Sequence, residues 1–191
     1  DFLLREELRD VESYFAVLVR LARGAASPSE LADDTPVGRS IQYYLKQLVE
    51  LGYVERRFPL IGGRPKRTDV RYRLADPMLR FWFRFVQPNQ SYLQRHGGVR
   101  GLRERVKPQL ASYFGDCFER LCREALPWLH EREGIDSAAE VGSFWSRSAQ
   151  IDVVAMREDG PIELGECKWG SPSSGKRLLA ELESKLPHYP N

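Results

Sequence analysis

Gln150-Ile151-Asp152-Val153-Val154-Ala155-Met156, followed by Ile162-Glu163-Leu164-Gly165-Glu166-Cys167-Lys168-Trp169, are two apolar stretches with charge lodged inside them. Their β-branched content predicts strands, Glu158-Asp159-Gly160-Pro161 reads as the turn joining them, and Glu140-Val141-Gly142-Ser143-Phe144-Trp145 reads as a strand before them, together a meander. Period two along 162–169 puts Leu164, Glu166 and Lys168 on one face and Gly165, Cys167 and Trp169 on the other. An isolated carboxylate in an apolar strand is costly, so Asp152, Glu166 and Lys168 require one another or a cation. Magnesium suits such a set, because it takes one or two carboxylates and fills its other positions with water and phosphate oxygens. Lys168 would then orient or deprotonate an attacking water, or steady negative charge developing on phosphorus.

Working outward, residues 109–130 place Leu110, Tyr113, Phe114, Cys117, Phe118, Leu121, Cys122, Ala125 and Leu129 at helical spacing, with Glu119 beside this apolar stripe. A helix from Lys176 to Leu186 follows the strands and carries Lys176 and Lys185, either of which would offer a late basic group. Trp145 and Trp169, at strand ends, read as rim packing rather than base-stacking platforms, and Arg147 is a candidate phosphate contact.

The first part of the chain has a different character. Val11, Tyr14, Phe15, Leu18 and Leu21 mark a helix stopped by Gly24; Ser27-Pro28 caps a short second helix; Val37–Leu51 forms a third, with Ile41, Tyr44, Leu45, Leu48, Val49 and Leu51 on its apolar face and Gly52 at its end. Tyr53–Arg57 and Val70–Leu74 alternate like paired strands around the basic, glycine-rich Ile61-Gly62-Gly63-Arg64-Pro65-Lys66-Arg67. Three helices and a hairpin is the order of a winged helix-turn-helix. The third helix then exposes Arg39, Ser40, Gln42, Tyr43 and Lys46 toward a major groove, and Arg64, Lys66 and Arg67 face phosphates from the wing. A docking hairpin in a protein-interaction module is the competing reading. Asp76-Pro77 opens a further helix that crowds Phe81, Trp82, Phe83 and Phe85 together and is expected to be largely buried; Pro88-Asn89 and Gly97-Gly98 read as breaks, and Leu102–Val106 as a short helical stretch.

Composition bounds these readings. The 191 residues are 42% hydrophobic and 29% charged, which excludes disordered, collagen-like and coiled-coil classes and fits one or two globular domains. Net charge is only +2, yet residues 1–108 carry 20 basic and 13 acidic side chains while 109–191 carry 9 and 14, so two modules with different tasks are expected. Three cysteines argue against a disulfide framework and for a reducing, cytoplasmic setting. Cys117 and Cys122 form no CxxC, and His96, His130 and His188 stand alone, so zinc is not expected. No apolar run approaches the ~18 residues of a membrane span. The first residue is Asp1 and the last Asn191, and the chain is expected to be a portion of something longer.

Tyr72-Arg73-Leu74-Ala75-Asp76-Pro77-Met78-Leu79-Arg80-Phe81-Trp82-Phe83-Arg84-Phe85-Val86-Gln87-Pro88-Asn89 resembles a segment of the C-terminal half of archaeal-type AAA ATPases, and Phe2-Leu3-Leu4-Arg5-Glu6-Glu7-Leu8 resembles the exit from their ATPase domain. The phrase Tyr43–Arg56 is similar to the recognition helix and first wing strand of the winged-helix superfamily. The resemblance implies an α+β chain: an N-terminal winged helix-turn-helix (1–75), connecting helices (76–108), and a restriction-endonuclease-like PD-(D/E)XK α/β domain (109–191) with a central mixed sheet, cut short before a fourth strand. It also implies an N-terminal P-loop ATPase domain as a partner, duplex DNA as another, no membrane, and a homo-oligomer as one assembly. No Gly-x-x-x-x-Gly-Lys-Ser/Thr is present, so no ATP is expected on these residues. Carried over residue by residue, Asp152 and Glu166 would hold magnesium, Lys168 would act in catalysis, and Glu119 would be an accessory ligand. Gln150-Ile151 stands where the proline of the motif belongs. The alternative keeps the same residues as an inert ion pair in a non-catalytic region that couples the ATPase domain to a partner.

Overall fold

The computed structural model describes residues 10–171 and 174–190, so the resemblance read at Phe2–Leu8 lies outside the described residues. The chain is α+β, with helices and two small antiparallel sheets, and divides into two compact units. The first holds the described residues through Arg57 together with Val70–Pro108; the second holds Phe58–Asp69 and the described residues from Gln109 onward.

In the first unit, helix α1 (Val11–Ala22) is capped by the Asp10 side chain, which accepts from Ser13 N–H. Helix α2 (Pro28–Asp34) begins with a capping box in which Ser27 accepts from Glu30 N–H and Glu30 accepts from Ser27 N–H. A 3₁₀ turn (Gly38–Ser40) leads into α3 (Ile41–Glu50), a split of the helix expected over Val37–Leu51. The three helices bury Val17, Leu18, Leu21, Leu31, Ile41, Leu45 and Leu48. Strands β1 (Val54–Arg57) and β2 (Arg71–Leu74) pair with Val54 opposite Leu74 and Arg56 opposite Tyr72, so that Val54, Tyr72 and Leu74 are buried. Tyr72 also bridges Ala26, tying the hairpin to the segment before α2.

Helix α4 (Pro77–Phe81) does not stop at Pro88. It widens into a π-turn (Trp82–Val86), tightens into a 3₁₀ turn (Gln87–Asn89) and continues as α5 (Gln90–His96). The same succession recurs around Pro108, from α6 (Gly98–Gly101) through a π-turn (Leu102–Val106) and a 3₁₀ turn (Lys107–Gln109). Proline removes an N–H and clashes with the carbonyl four residues back. The wide turn resolves both problems, because Gln87 N–H bonds Trp82 O, Lys107 N–H bonds Leu102 O, and the Asn89 side chain donates to Phe85 O at 2.9 Å. Of the crowded aromatics, Phe83 and Phe85 are fully buried, whereas Trp82 is partly exposed.

The second unit is built from the long helix α7 (Leu110–Arg132), strands β3 (Ala139–Trp145), β4 (Gln150–Arg157) and β5 (Ile162–Gly165), and helix α8 (Gly175–Lys185). The sheet order β3-β4-β5 is antiparallel throughout, which corrects the expected mixed sheet: consecutive strands joined by short turns can only run against one another. The turn expected at Glu158–Pro161 is present, with Gly160 at φ +110° and Arg157 N–H bonded to Pro161 O. Strand β5 ends at Gly165 rather than Trp169, so the two-face alternation expected for Glu166 and Lys168 does not apply. The cause is local. Cys167 N–H is taken by the Asp152 side chain at 3.0 Å, which diverts it from a strand ladder. The apolar stripe of α7 is only partly covered: Leu121 and Trp128 are exposed, and His130, read as a lone histidine, is buried against Glu163 at 2.8 Å.

Phe144, Ile151, Val154 and Tyr189 form the core of this unit, with Leu60 and Ile61 packed on it. The loop between β1 and β2 is therefore held by the second sheet, through Leu60 N–H to Ser143 O at 2.9 Å and Trp145 Nε1 to Asp69 O at 2.9 Å. A Cβ on Gly142 would stand 2.9 Å from Leu60 Cβ. Gly142→Ala is expected to lower stability by about 1–3 kcal/mol in urea unfolding, and Leu60→Ala on that background is not expected to restore it, since the nearest atom, Leu60 Cβ, remains.

Candidate functional site

Four elements of the second unit deliver charged side chains to one place. Strand β4 presents Asp152, 7% exposed between the fully buried Ile151 and the buried Val153. Its carboxylate is fixed by Cys167 N–H, and its own carbonyl accepts from Arg123 Nη1 at 2.6 Å. Arg123 lies one turn beyond Glu119 on α7 and approaches the Glu119 carboxylate at 3.9 Å. The segment after β5 supplies Glu166, whose side chain is 4% exposed, and Lys168, whose side chain is 43% exposed. Helix α8 supplies Glu181 and Lys185.

The ion pairs are not those that spacing alone suggests. Lys185 Nζ donates to Glu166 Oε1 at 2.6 Å, while Lys168 Nζ stands 3.9 Å from Glu166 Oε2 and donates to Glu181 Oε1 at 3.4 Å. Lys185 also reaches Glu181 at 3.7 Å. Glu119 is pushed up to about 7 by burial, then by the charges of Asp152 and Asp116, with Arg123 opposing and Glu166 adding to the rise. Burial likewise raises Glu166, against the hydrogen bond from Lys185. Burial alone would lower the Lys168 ammonium, but the hydrogen bond to Glu181 and the charges of Glu181, Glu166 and Asp152 hold it above the ordinary lysine value. Burial and contact with Cys122 push the Cys167 thiol up to about 12, so it stays protonated and is no thiolate ligand.

Glu119 feels the charges of Asp152 and Glu166, Glu166 feels that of Asp152, and the elevated Glu119 marks where compensation falls short. Asp152 and Glu166 are hard oxygen donors, which fits magnesium in kind and in number, since that ion needs only one or two protein carboxylates. Among the described residues, no group of three or more His, Cys, Asp or Glu is gathered to hold a metal by itself.

All four residues read from the sequence for this site, Glu119, Asp152, Glu166 and Lys168, come together. Arg123 and Glu181 were not read from it, although the i,i+4 spacings Glu119/Arg123 and Glu181/Lys185 signal both. Trp169 lies against Phe114 and Phe118, with ring centroids 5.3 and 5.8 Å away. In the first unit, Arg39, Gln42, Tyr43 and Lys46 are all exposed on the third helix and the turn before it. Arg64, Lys66 and Arg67 are exposed too, but on the loop that belongs to the second unit.

Residues 82–179 match the model of a family described as archaeal and bacterial proteins of unknown function, DUF234. An uncharacterised protein of Methanocaldococcus jannaschii is 28% identical over 172 residues, covering 88% of this chain and 38% of the relative. The chain therefore spans well under half the length of that relative. No solved structure matches. Among the described residues, no helix is long and apolar enough to cross a membrane.

Because the folded-state value of Glu119 lies above its ordinary 4.5, the folded protein binds the extra proton, and stability is lost as pH rises from about 4.5 through about 7. Glu119→Gln abolishes that loss. In EDTA, its melting temperature is expected to exceed the parent's by several degrees at pH 8 and to match it near pH 4.5. An equal offset at both pH values contradicts the assignment.

Proposed function

The chain belongs to the DUF234 family of archaeal and bacterial proteins, and we propose that it is the DNA-associated C-terminal region of an AAA-type ATPase, with a winged-helix DNA-binding module and a magnesium-dependent DNA phosphodiesterase site of PD-(D/E)XK type. The observation that carries this reading is that Glu119, Asp152 and Glu166 lie near enough for Glu119 and Glu166 to feel the Asp152 charge, with the half-exposed Lys168 3.9 Å from Glu166.

Asp152 and Glu166 would hold the ion, with Glu119 as an accessory ligand. Magnesium supplies polarisation of a phosphoryl oxygen and a bound water of lowered pKa. The chain's own residues do the rest. Cys167 N–H and Arg123 fix Asp152 from its side chain and its backbone, so the carboxylate does not turn away as substrate enters. Lys168, held as an ammonium by its acidic neighbours, does not take a proton from water near neutral pH; its role is to donate to the charge that develops on the phosphate oxygens. Glu119, near 7, exchanges a proton at physiological pH. In the first unit, α1–α3 and the hairpin follow the winged-helix order, and the exposed Arg39, Gln42, Tyr43 and Lys46 suit a groove. Duplex DNA, the N-terminal ATPase domain and a second copy of the chain are the partners this reading implies. The second reading, a non-catalytic coupling region, is favoured by one observation: Lys185 already neutralises Glu166.

Nicking of supercoiled plasmid is expected in magnesium, lost in EDTA, and lost in Lys168→Ala with the melting temperature unchanged. Undiminished cleavage in EDTA, or none by the parent protein, sinks the hydrolase. For the DNA-binding module, anisotropy of a labelled duplex should show affinity falling with salt. Arg39→Ala with Lys46→Ala should reduce the slope of log K against log salt by about 2. An unchanged slope removes the helix from the interface.

A further inference from the structure

The lysine bonded to Glu166 is Lys185, not the Lys168 that stands two residues away in sequence. A buried carboxylate without a partner is strongly destabilising, so whatever sits at hydrogen-bond distance is the group that permits burial. At 2.6 Å, Lys185 Nζ fills that position on Oε1; Lys168 at 3.9 Å from Oε2 does not. A lysine is a compact charge on a flexible stem, and a second acceptor stands ready for it. Glu181, one helical turn earlier on α8, is 3.7 Å from the same Nζ and is partly exposed. Lys185 can therefore exchange Glu166 for Glu181 by rotating its side chain, with α8 left in place.

From this geometry we infer that Lys185 is a resident counter-ion of the metal site: it occupies Glu166 until a divalent cation takes that carboxylate, and it is then handed to Glu181. The inference rests on the metal-site reading above and specifies how that site is regulated. Metal and Lys185 compete for one carboxylate, so the chain stays folded without metal and the apparent metal affinity is set below what Asp152 and Glu166 offer by themselves. Lys168 remains outside the exchange, tethered to Glu181 and available to substrate.

Manganese chloride, followed through the free-ion signal in electron paramagnetic resonance, tests the competition on the whole chain without reference to activity. Lys185→Met is expected to bind Mn²⁺ about tenfold more tightly than the parent, about 1.4 kcal/mol, while melting at lower temperature in EDTA. Glu181→Gln retains the Glu166 pair, so it guards against a misfolded first variant; it removes the negative charge that receives the released lysine and should weaken Mn²⁺ binding several-fold. A parent that binds Mn²⁺ while Lys185→Met binds equally or less tightly overturns the inference and leaves the metal site standing. Binding by Lys185→Met alone supports it, showing that the lysine excludes the ion. No binding by either overturns both the inference and the metal-site reading.

Discussion

A carboxylate buried beside an apolar sheet must have a hydrogen-bond donor at contact distance, and the second unit is arranged around that demand. Asp152 is accommodated by a backbone N–H on its carboxylate and by an arginine on its own carbonyl; Glu166 is accommodated by an ammonium at 2.6 Å. These are different solutions. The first is rigid, because a peptide N–H and a guanidinium drawn from another element cannot easily depart. The second is exchangeable, because a lysine can leave. Glu119 has neither solution in full, and burial with the Asp152 charge raises it as a result.

The same demand shapes the backbone. Asp152 accepting from Cys167 ends β5 three residues after Ile162, releasing Glu166 and Lys168 from the alternation of a strand. Both side chains can then approach from one side without a shared strand face. The polar requirement of a single residue has decided where regular structure stops.

Much of this was legible in the sequence, and the parts that were not have physical reasons. Ser27 and Asp76 declare their helices, because a capping side chain acts within three residues, and local rules reach that far. The hairpin and the meander follow from alternation and from the turn at Glu158–Pro161. Pro88 misled, since a proline reads as a stop and only a widened turn upstream lets winding continue. At the site, the acidic and basic residues were identifiable by their improbable company, Asp152 among Ile151, Val153 and Val154. The pairing between Lys185 and Glu166 was not, because it depends on where α8 returns to the sheet, a property of tertiary structure that no spacing encodes.

The loop from Phe58 to Asp69 lies between two strands of the first unit and yet contributes Leu60 and Ile61 to the core of the second. Linear order and folding unit are therefore interleaved. A polypeptide beginning at Gln109 would lack the leucine that covers Gly142, and one ending at Pro108 would carry that leucine with nothing to bury it. Neither half can be had intact as an uninterrupted stretch, so dissecting this chain calls for shortening the hairpin on one side and supplying its tip on the other.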